Sequence, residues 1–404
     1  MNILFLSPGF PAEMPFFTRG LAQVGAKVIG LGDQNEAALP SMARQHLSAY
    51  LKADFSDVRG LIAMVEDAAR LIPIHRVECM WEPLMILAAQ LREHLGLPGL
   101  TVEETIPFRD KEKMKQVLDA AGIRTPRHAR ATTADECRSA AEMIGFPLIV
   151  KPIAGAGSAD TYRVDDWNEL EAAIPKLRRI PQISVEEFID AEEFTFDTIC
   201  FGGEVLFYNI CAYRPRPLIS RILEWVSPIT TALRNPDVPY LAEGKRMGWE
   251  VLKAMNFKDG FTHMEWFLKP DGEAVFGEIG GRPPGARTVD IMNFSVDADL
   301  FSGWAEAITT GHISQDLGKK YNAASMFKRA QGEGRITRIE GLGRLMADYG
   351  EHVVELDLLP LGAPRRNWMQ TLISDGTVMV RHPDLATTIE MIDRFATDLQ
   401  IYAE

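Results

Sequence analysis

The first hundred residues alternate between strand and helix periodicity, and that alternation limits the fold more than any other feature. Strand signals at Asn2–Leu6, Ala26–Leu31 and Val77–Trp81 are separated by helical segments. One runs to about Val24; another carries Leu61, Val65, Ala68 and Ile72 at helical spacing. A further helical face, Leu84, Leu87, Ala88, Leu91 and Leu95, follows. Such alternation predicts a parallel sheet covered by helices. The first loop, Ser7-Pro8-Gly9-Phe10-Pro11, lacks G-x-G-x-x-G, so the unit is expected to have a Rossmann-like shape without dinucleotide binding. Glu82 lies just past a strand end, where α/β sheets place ligands, and is read either as a residue of such a site or, preferably, as a solvated loop carboxylate.

The turn-rich stretch Gly96-Leu97-Pro98-Gly99-Leu100 reads as a boundary. Beyond it, Asp110 can cap a helix striped by Met114, Val117, Leu118 and Ala121, with Gly122 as the stop. Pro147–Pro152 is an apolar strand that carries Lys151 at its end, and the small-residue loop 154–160 follows directly. From Ile183 the signals are β. Phe194–Phe201 and Glu204–Cys211 flank Gly202-Gly203, and Thr262–Leu268 and Glu273–Ile279 flank Lys269-Pro270-Asp271-Gly272. Both read as hairpins. A helix around Leu300–Thr309, strands at Val353–Leu359 and Thr377–Arg381, and a helix around Leu385–Leu399 complete the reading.

The 404 residues carry a formal net charge of −13. A surface this acidic repels nucleic-acid backbones and anionic membranes, so neither partner is expected, and an anionic ligand must meet a local group of cations. No apolar run is long enough to span a bilayer, and the opening residues lack the basic start of a signal peptide. Cys79, Cys137, Cys200 and Cys211 contain no Cys-x-x-Cys pair, so buried, reduced thiols in a cytoplasmic protein are expected.

The second hairpin carries the clearest chemistry. If Asp271-Gly272 is its two-residue turn, counting outward sets Glu265 directly opposite Glu278, with Cβ atoms roughly 5 Å apart. A four-residue loop would make them diagonal neighbours, and a three-residue loop with a bulge would alter the count. Facing anions destabilise a sheet unless a cation lies between them, and hard oxygen donors at that spacing suit Mg²⁺ carried with phosphates; the alternative is an exposed edge where both side chains reach water. His263 shares the strand face of Glu265, or is an ordinary core or surface histidine. Arg282 and Arg287, in a stiff Gly/Pro loop, can hold carboxylate or phosphate oxygens, or offset local acidic surface. Lys151 can hold a phosphate beside loop amides, although Gly155-Ala156-Gly157 alone reads better as a simple tight turn.

The order of these parts resembles the ATP-grasp superfamily. It runs Arg109-Asp110-Lys111, Phe146 to Pro152 with the small-residue loop, Val185-Glu186-Glu187-Phe188-Ile189, Glu193 and Asp197, His263-Met264-Glu265, and Gly277-Glu278-Ile279-Gly280-Gly281-Arg282. The resemblance implies an α/β, ATP-grasp fold: a Rossmann-like domain over 1–100, an ATP-grasp domain over 101–310 with lobes at about 110–187 and 188–310, and a C-terminal α+β lid or substrate domain over 311–404. It also implies that Lys111 and Lys151 bind ATP phosphates under a flap containing Gly155, Gly157 and Ser158. Glu186, Glu187, Phe188 and Ile189 would form the adenine-reading hinge, and Glu193 would accept from the ribose. Glu265 and Glu278 would hold Mg²⁺ (or Mn²⁺), and Arg282 would stabilise the transferring phosphoryl group. Gly280 stands where members such as biotin carboxylase have a metal-ligating Asn; with His-x-Glu, this is more similar to the L-amino acid ligase branch.

The activity implied is ATP-dependent joining of a small carboxylate to an amine through an acyl-phosphate, releasing ADP and phosphate, with a homodimer allowed. His263, Arg282, Arg287 and the segment Arg214-Pro215-Arg216 through Trp225 are the candidates for meeting substrate carboxylates, with structural roles as the alternative reading. The alternatives are a bicarbonate-activating carboxylase and a non-catalytic ATP-binding sensor.

Overall fold

The computed structural model describes residues 1–153, 160–371 and 373–404. Strands Asn2–Leu6, Lys27–Gly32, Ala49–Lys52 and Arg76–Cys79 form a parallel sheet whose third strand in sequence lies at one edge and whose fourth lies at the other. This is the expected Rossmann-like order. Its helix Met14–Gln23 does not face water: Phe17 and Leu21 pack with Phe261, Phe301 and Trp304 in a shared apolar core. A Cβ on Gly20 would stand 2.6 Å from the Phe301 carbonyl oxygen, so glycine permits the close approach of these helices.

A four-stranded antiparallel sheet holds Lys151 near the end of Leu148–Pro152, beside Ile183–Glu187. Its own core is built from residues between Ala131 and Val185. The helix Lys111–Ala120 belongs elsewhere: Met114 and Leu118 pack with Met264, Trp266 and Phe276 of the larger lobe. Asp110 caps this helix as expected, accepting from the amides of Glu112 and Lys113 at 3.0 Å each.

A nine-stranded sheet forms the frame. It includes Glu192–Phe201, Gly260–Leu268 and Ala274–Gly280, and it continues through Ile229–Ala232 into Asn322–Lys328, Gly376–His382 and Val353–Leu358. Thr230 pairs with Ser325, so the sheet crosses the 310 mark without interruption. The first hairpin turns on Gly202-Gly203, both at positive φ, as a two-residue turn of this kind requires.

The second hairpin reaches its register by a different route from the simple count. The Lys269 amide donates to the Glu273 carbonyl, so the loop is Pro270–Gly272, one residue longer than a two-residue turn. Trp266 then pairs with Phe276, and a bulge at Gly277 restores Glu265 opposite Glu278. A Cβ at Gly277 would lie 2.8 Å from the Glu265 carbonyl oxygen, which explains the glycine in the bulge. The four cysteines are buried and free. Among the described residues no helix is long and apolar enough to cross a membrane.

Because Phe17 joins the first unit to the rest, Phe17→Ala should lower unfolding free energy by about 3–5 kcal/mol. Denaturant titration should show a lower midpoint, and a loss below about 1 kcal/mol would contradict a shared core.

Candidate active site

Three of the four sheets among the described residues border a cavity of about 710 Å³. Lys111, Lys151, Glu265, Glu278 and Arg282 all line it, together with the hinge Glu186–Ile189, Glu193 and His263. The sequence-expected residues are thus gathered onto one surface, except for Arg214, Trp225, Arg287 and those in the flap. Gly155, Gly157 and Ser158 lie outside the described residues.

Cations already reach both facing glutamates. The Lys111 ammonium is 3.0 Å from Glu278. Tyr213 donates its hydroxyl to Glu265 at 3.2 Å, and His263 Nε2 lies 3.5 Å from the same oxygen. Burial works against a charged Glu265, but His263, Arg282 and Tyr213 outweigh it and hold the carboxyl below its ordinary range. Glu193 behaves oppositely: burial and the nearby Glu265 charge push it well up. Burial would also lower His263, yet Asp197, 2.6 Å from Nδ1, and Glu265 raise it to about 9. His263 is therefore a cation held between two carboxylates.

The donor set suits a magnesium ion that arrives with phosphates. Two carboxylates face each other, and among the described residues no group of three His, Cys, Asp or Glu side chains forms a closed cage. The remaining positions of an octahedral ion would fall to phosphate oxygens and water. Gly280, where an asparagine would add a donor, has a structural reason. A Cβ there would come within 3.3 Å of the Arg282 side chain, so a larger residue would press on that arginine.

Three expectations are corrected. Glu82 is not solvated: it is 5% exposed, accepts from Arg282 Nε at 2.9 Å, and also binds Arg109. It aims Arg282 from the end of the parallel sheet, the crevice where α/β folds place ligands. Arg287 does not line the cavity, because its guanidinium is held by Asp290 and Glu355. Within the arginine-rich segment, Arg214 is paired by Asp393 and Arg216 donates to the carbonyls of Ile189 and Ala191, while Trp225 is 81% exposed. Arg216 and Arg221 nevertheless line the cavity, and Arg221 donates to the Met369 carbonyl.

The hinge is stiffened from several sides. Glu187 receives Arg124 and Arg127, and Phe188 lies under the guanidiniums of Arg163 and Arg216. Glu186 points inward and binds two lysines: Lys115 at 2.5 Å and Lys151 at 2.9 Å. Lys115 was missed from sequence, although it lies one helical turn after Lys111 and so on the same face. Asp197, the anchor of His263, was noted only for its position in the chain.

A sequence model of the ATP-grasp domain matches residues 108–214, and one of the ATP-grasp N-terminal domain matches residues 22–99. Residues 22–99 and 108–214 thus carry the N-terminal and central domains of ATP-grasp proteins, set within the ATP-grasp fold. It is 24% identical over 240 residues to an L-arginine-specific L-amino acid ligase of Bacillus subtilis, covering 58% of this chain and 57% of that protein. It is 42% identical over 119 residues to a D-alanine–D-alanine ligase of Stutzerimonas stutzeri, covering 29% and 37%. The matches therefore span less than two thirds of either relative's length. The fold superposes on the crystal structure of L-amino acid ligase from Bacillus licheniformis with a TM-score of 0.77 at 22% identity, covering 100% of this chain and 98% of that one.

Burial disfavours the Glu186 charge, but Lys115 and Lys151 overcome this and lower its carboxyl far below the model-peptide value of 4.5. The unfolded chain then binds the proton more readily, so this contribution to stability is complete above that value and is lost as pH falls toward the lowered one. Glu186→Gln should lower the melting temperature at neutral pH and flatten its decline in acid. An unchanged acid limb would mean that Glu186 is not the linked group.

Proposed function

We propose that this chain is an ATP-dependent carboxylate–amine ligase. The reading is carried by one observation: Glu265 and Glu278 face each other on the wall of a cavity that Lys111, Lys151 and Arg282 also line. Paired hard-oxygen donors beside three cations suit a polyphosphate placed next to an acid. The relatives named as amino acid ligases support an amino acid as one or both substrates.

A carboxylate is a poor electrophile at neutral pH because oxide would have to leave. In the proposed reaction a carboxylate oxygen attacks the γ-phosphorus, and the bond to the ADP oxygen breaks. The amine nitrogen then attacks the acyl carbon and loses a proton, and inorganic phosphate departs with the C–O bonding pair. Lys111 and Lys151 neutralise the phosphate oxygens. Arg282, aimed by Glu82, meets charge that builds on the transferring phosphoryl group and on the acyl-phosphate. Glu186 to Ile189 hold the adenine, Glu193 the ribose, and enclosure of the cavity keeps water from the activated acyl group. Magnesium, or manganese on the same donors, would be held by Glu265 and Glu278 and would supply the remaining neutralisation of phosphate charge. His263, fixed by Asp197, orients Glu265 and presents a positive charge to the acid.

The test is a phosphate-release screen with Mg-ATP over amino-acid pairs and small organic acids, with products read by mass spectrometry. Release that needs both an acid and an amine, together with an amide product, is expected. Lys151→Ala and Glu278→Gln should each cut kcat at least about 100-fold while circular dichroism is unchanged. Near-normal turnover by Glu278→Gln would defeat the metal assignment. Bicarbonate-dependent ADP release without amine would favour a carboxylase instead, and nucleotide binding without any turnover would favour a sensor.

A further inference from the structure

Glu186 is only 3% exposed and holds two lysines at once. The two lysines differ in situation. Lys151 lines the cavity at the end of its strand. Lys115, 1% exposed, stands behind it on the helix Lys111–Ala120, packed in the body, and does not line the cavity. Each takes a separate oxygen of the carboxylate, Lys115 Oε1 and Lys151 Oε2.

This division matters once Lys151 is asked to bind a phosphate. A buried carboxylate stripped of its only cation is strongly disfavoured. Were Lys151 the sole partner of Glu186, moving it to a phosphate would strand that charge, and the cost would be subtracted from phosphate affinity. A second cation that stays behind removes the cost. We propose that Lys115 is the resident counter-charge of Glu186, freeing Lys151 to leave that carboxylate for a nucleotide phosphate. The inference rests on the nucleotide reading above.

The surroundings fit a fixed position for Lys115. Glu112, on the same helix, binds Ser184 and His128, so the helix is fastened to the strand that carries Glu186. Burial pulls the Lys115 ammonium down, and Glu186 is the largest influence opposing this, so each charge depends on the other. Lys115 is thus a positioning residue acting through Glu186 and Lys151, with no contact of its own to phosphate.

The discriminating quantity is the ratio of ADP to adenosine affinity, because it isolates the phosphate contribution and cancels changes at the base. Both ligands are titrated with magnesium into the full chain by competition calorimetry. Lys115→Met should lower the ratio about tenfold or more, since Lys151 is then needed by Glu186, with adenosine affinity little changed. The double variant Lys115→Met/Glu186→Gln should restore the ratio to at least the wild-type value, because no buried anion remains to hold Lys151. It also serves where the single variant fails to fold. An unchanged ratio in Lys115→Met overturns the proposal, as does a double variant whose ratio stays low, which would mean that Lys115 acts on the phosphate itself. Wild-type protein that binds neither ligand would instead overturn the nucleotide reading, a result the ratio cannot be confused with.

Discussion

Two carboxylates set opposite each other on neighbouring strands repel, and much of this site is arranged around that repulsion. Glu265 and Glu278 stand in register because a three-residue loop and a bulge compensate one another. Lys111 then reaches Glu278, while His263 and Tyr213 reach Glu265. Asp197 is needed in turn to hold His263 charged, and it does so from a fully buried position. Negative and positive groups therefore alternate through the wall of the cavity, and an acidic protein obtains a locally balanced place for a polyanion. The same pattern recurs at Glu82, between Arg109 and Arg282, and at Glu186, between Lys115 and Lys151.

Local signals were sufficient for three strands of the parallel sheet, the hairpins and the Asp110 cap, because period, turn residues and capping chemistry act over a few positions; the short edge strand Ala49–Lys52 carries no such signal. They also placed Glu265 opposite Glu278, although the loop and bulge that produce this register cancel in a way the turn residues do not reveal. Partners distant in the chain were not legible. Glu82 is 200 residues from Arg282, and Lys115 is 71 from Glu186. Arg287 was read as a candidate because arginines in stiff loops often meet anions. The strand that carries Glu355 is legible in sequence, but the pairing is not: Arg287, with its left-handed backbone at φ 59°, meets Glu355 across 68 residues of chain.

The continuity of the large sheet is a second feature that chain order obscures. Strands on either side of residue 310 share one hydrogen-bonded ladder, so the glutamate hairpin and the last ninety residues belong to a common frame. The helix that carries Lys111 joins the same frame through Met114 and Leu118, although in sequence it adjoins the small sheet.

The two phosphate-facing lysines stand on elements that bury their apolar faces in different cores, Lys111 in the frame's and Lys151 in the small sheet's, while Glu112 and Lys115 tie the Lys111 helix to the small sheet. The distance between the two ammonium groups is therefore fixed by bonds within the protein, so the reach of a polyanion, and not an adjustment of the fold, would decide whether both are engaged at once.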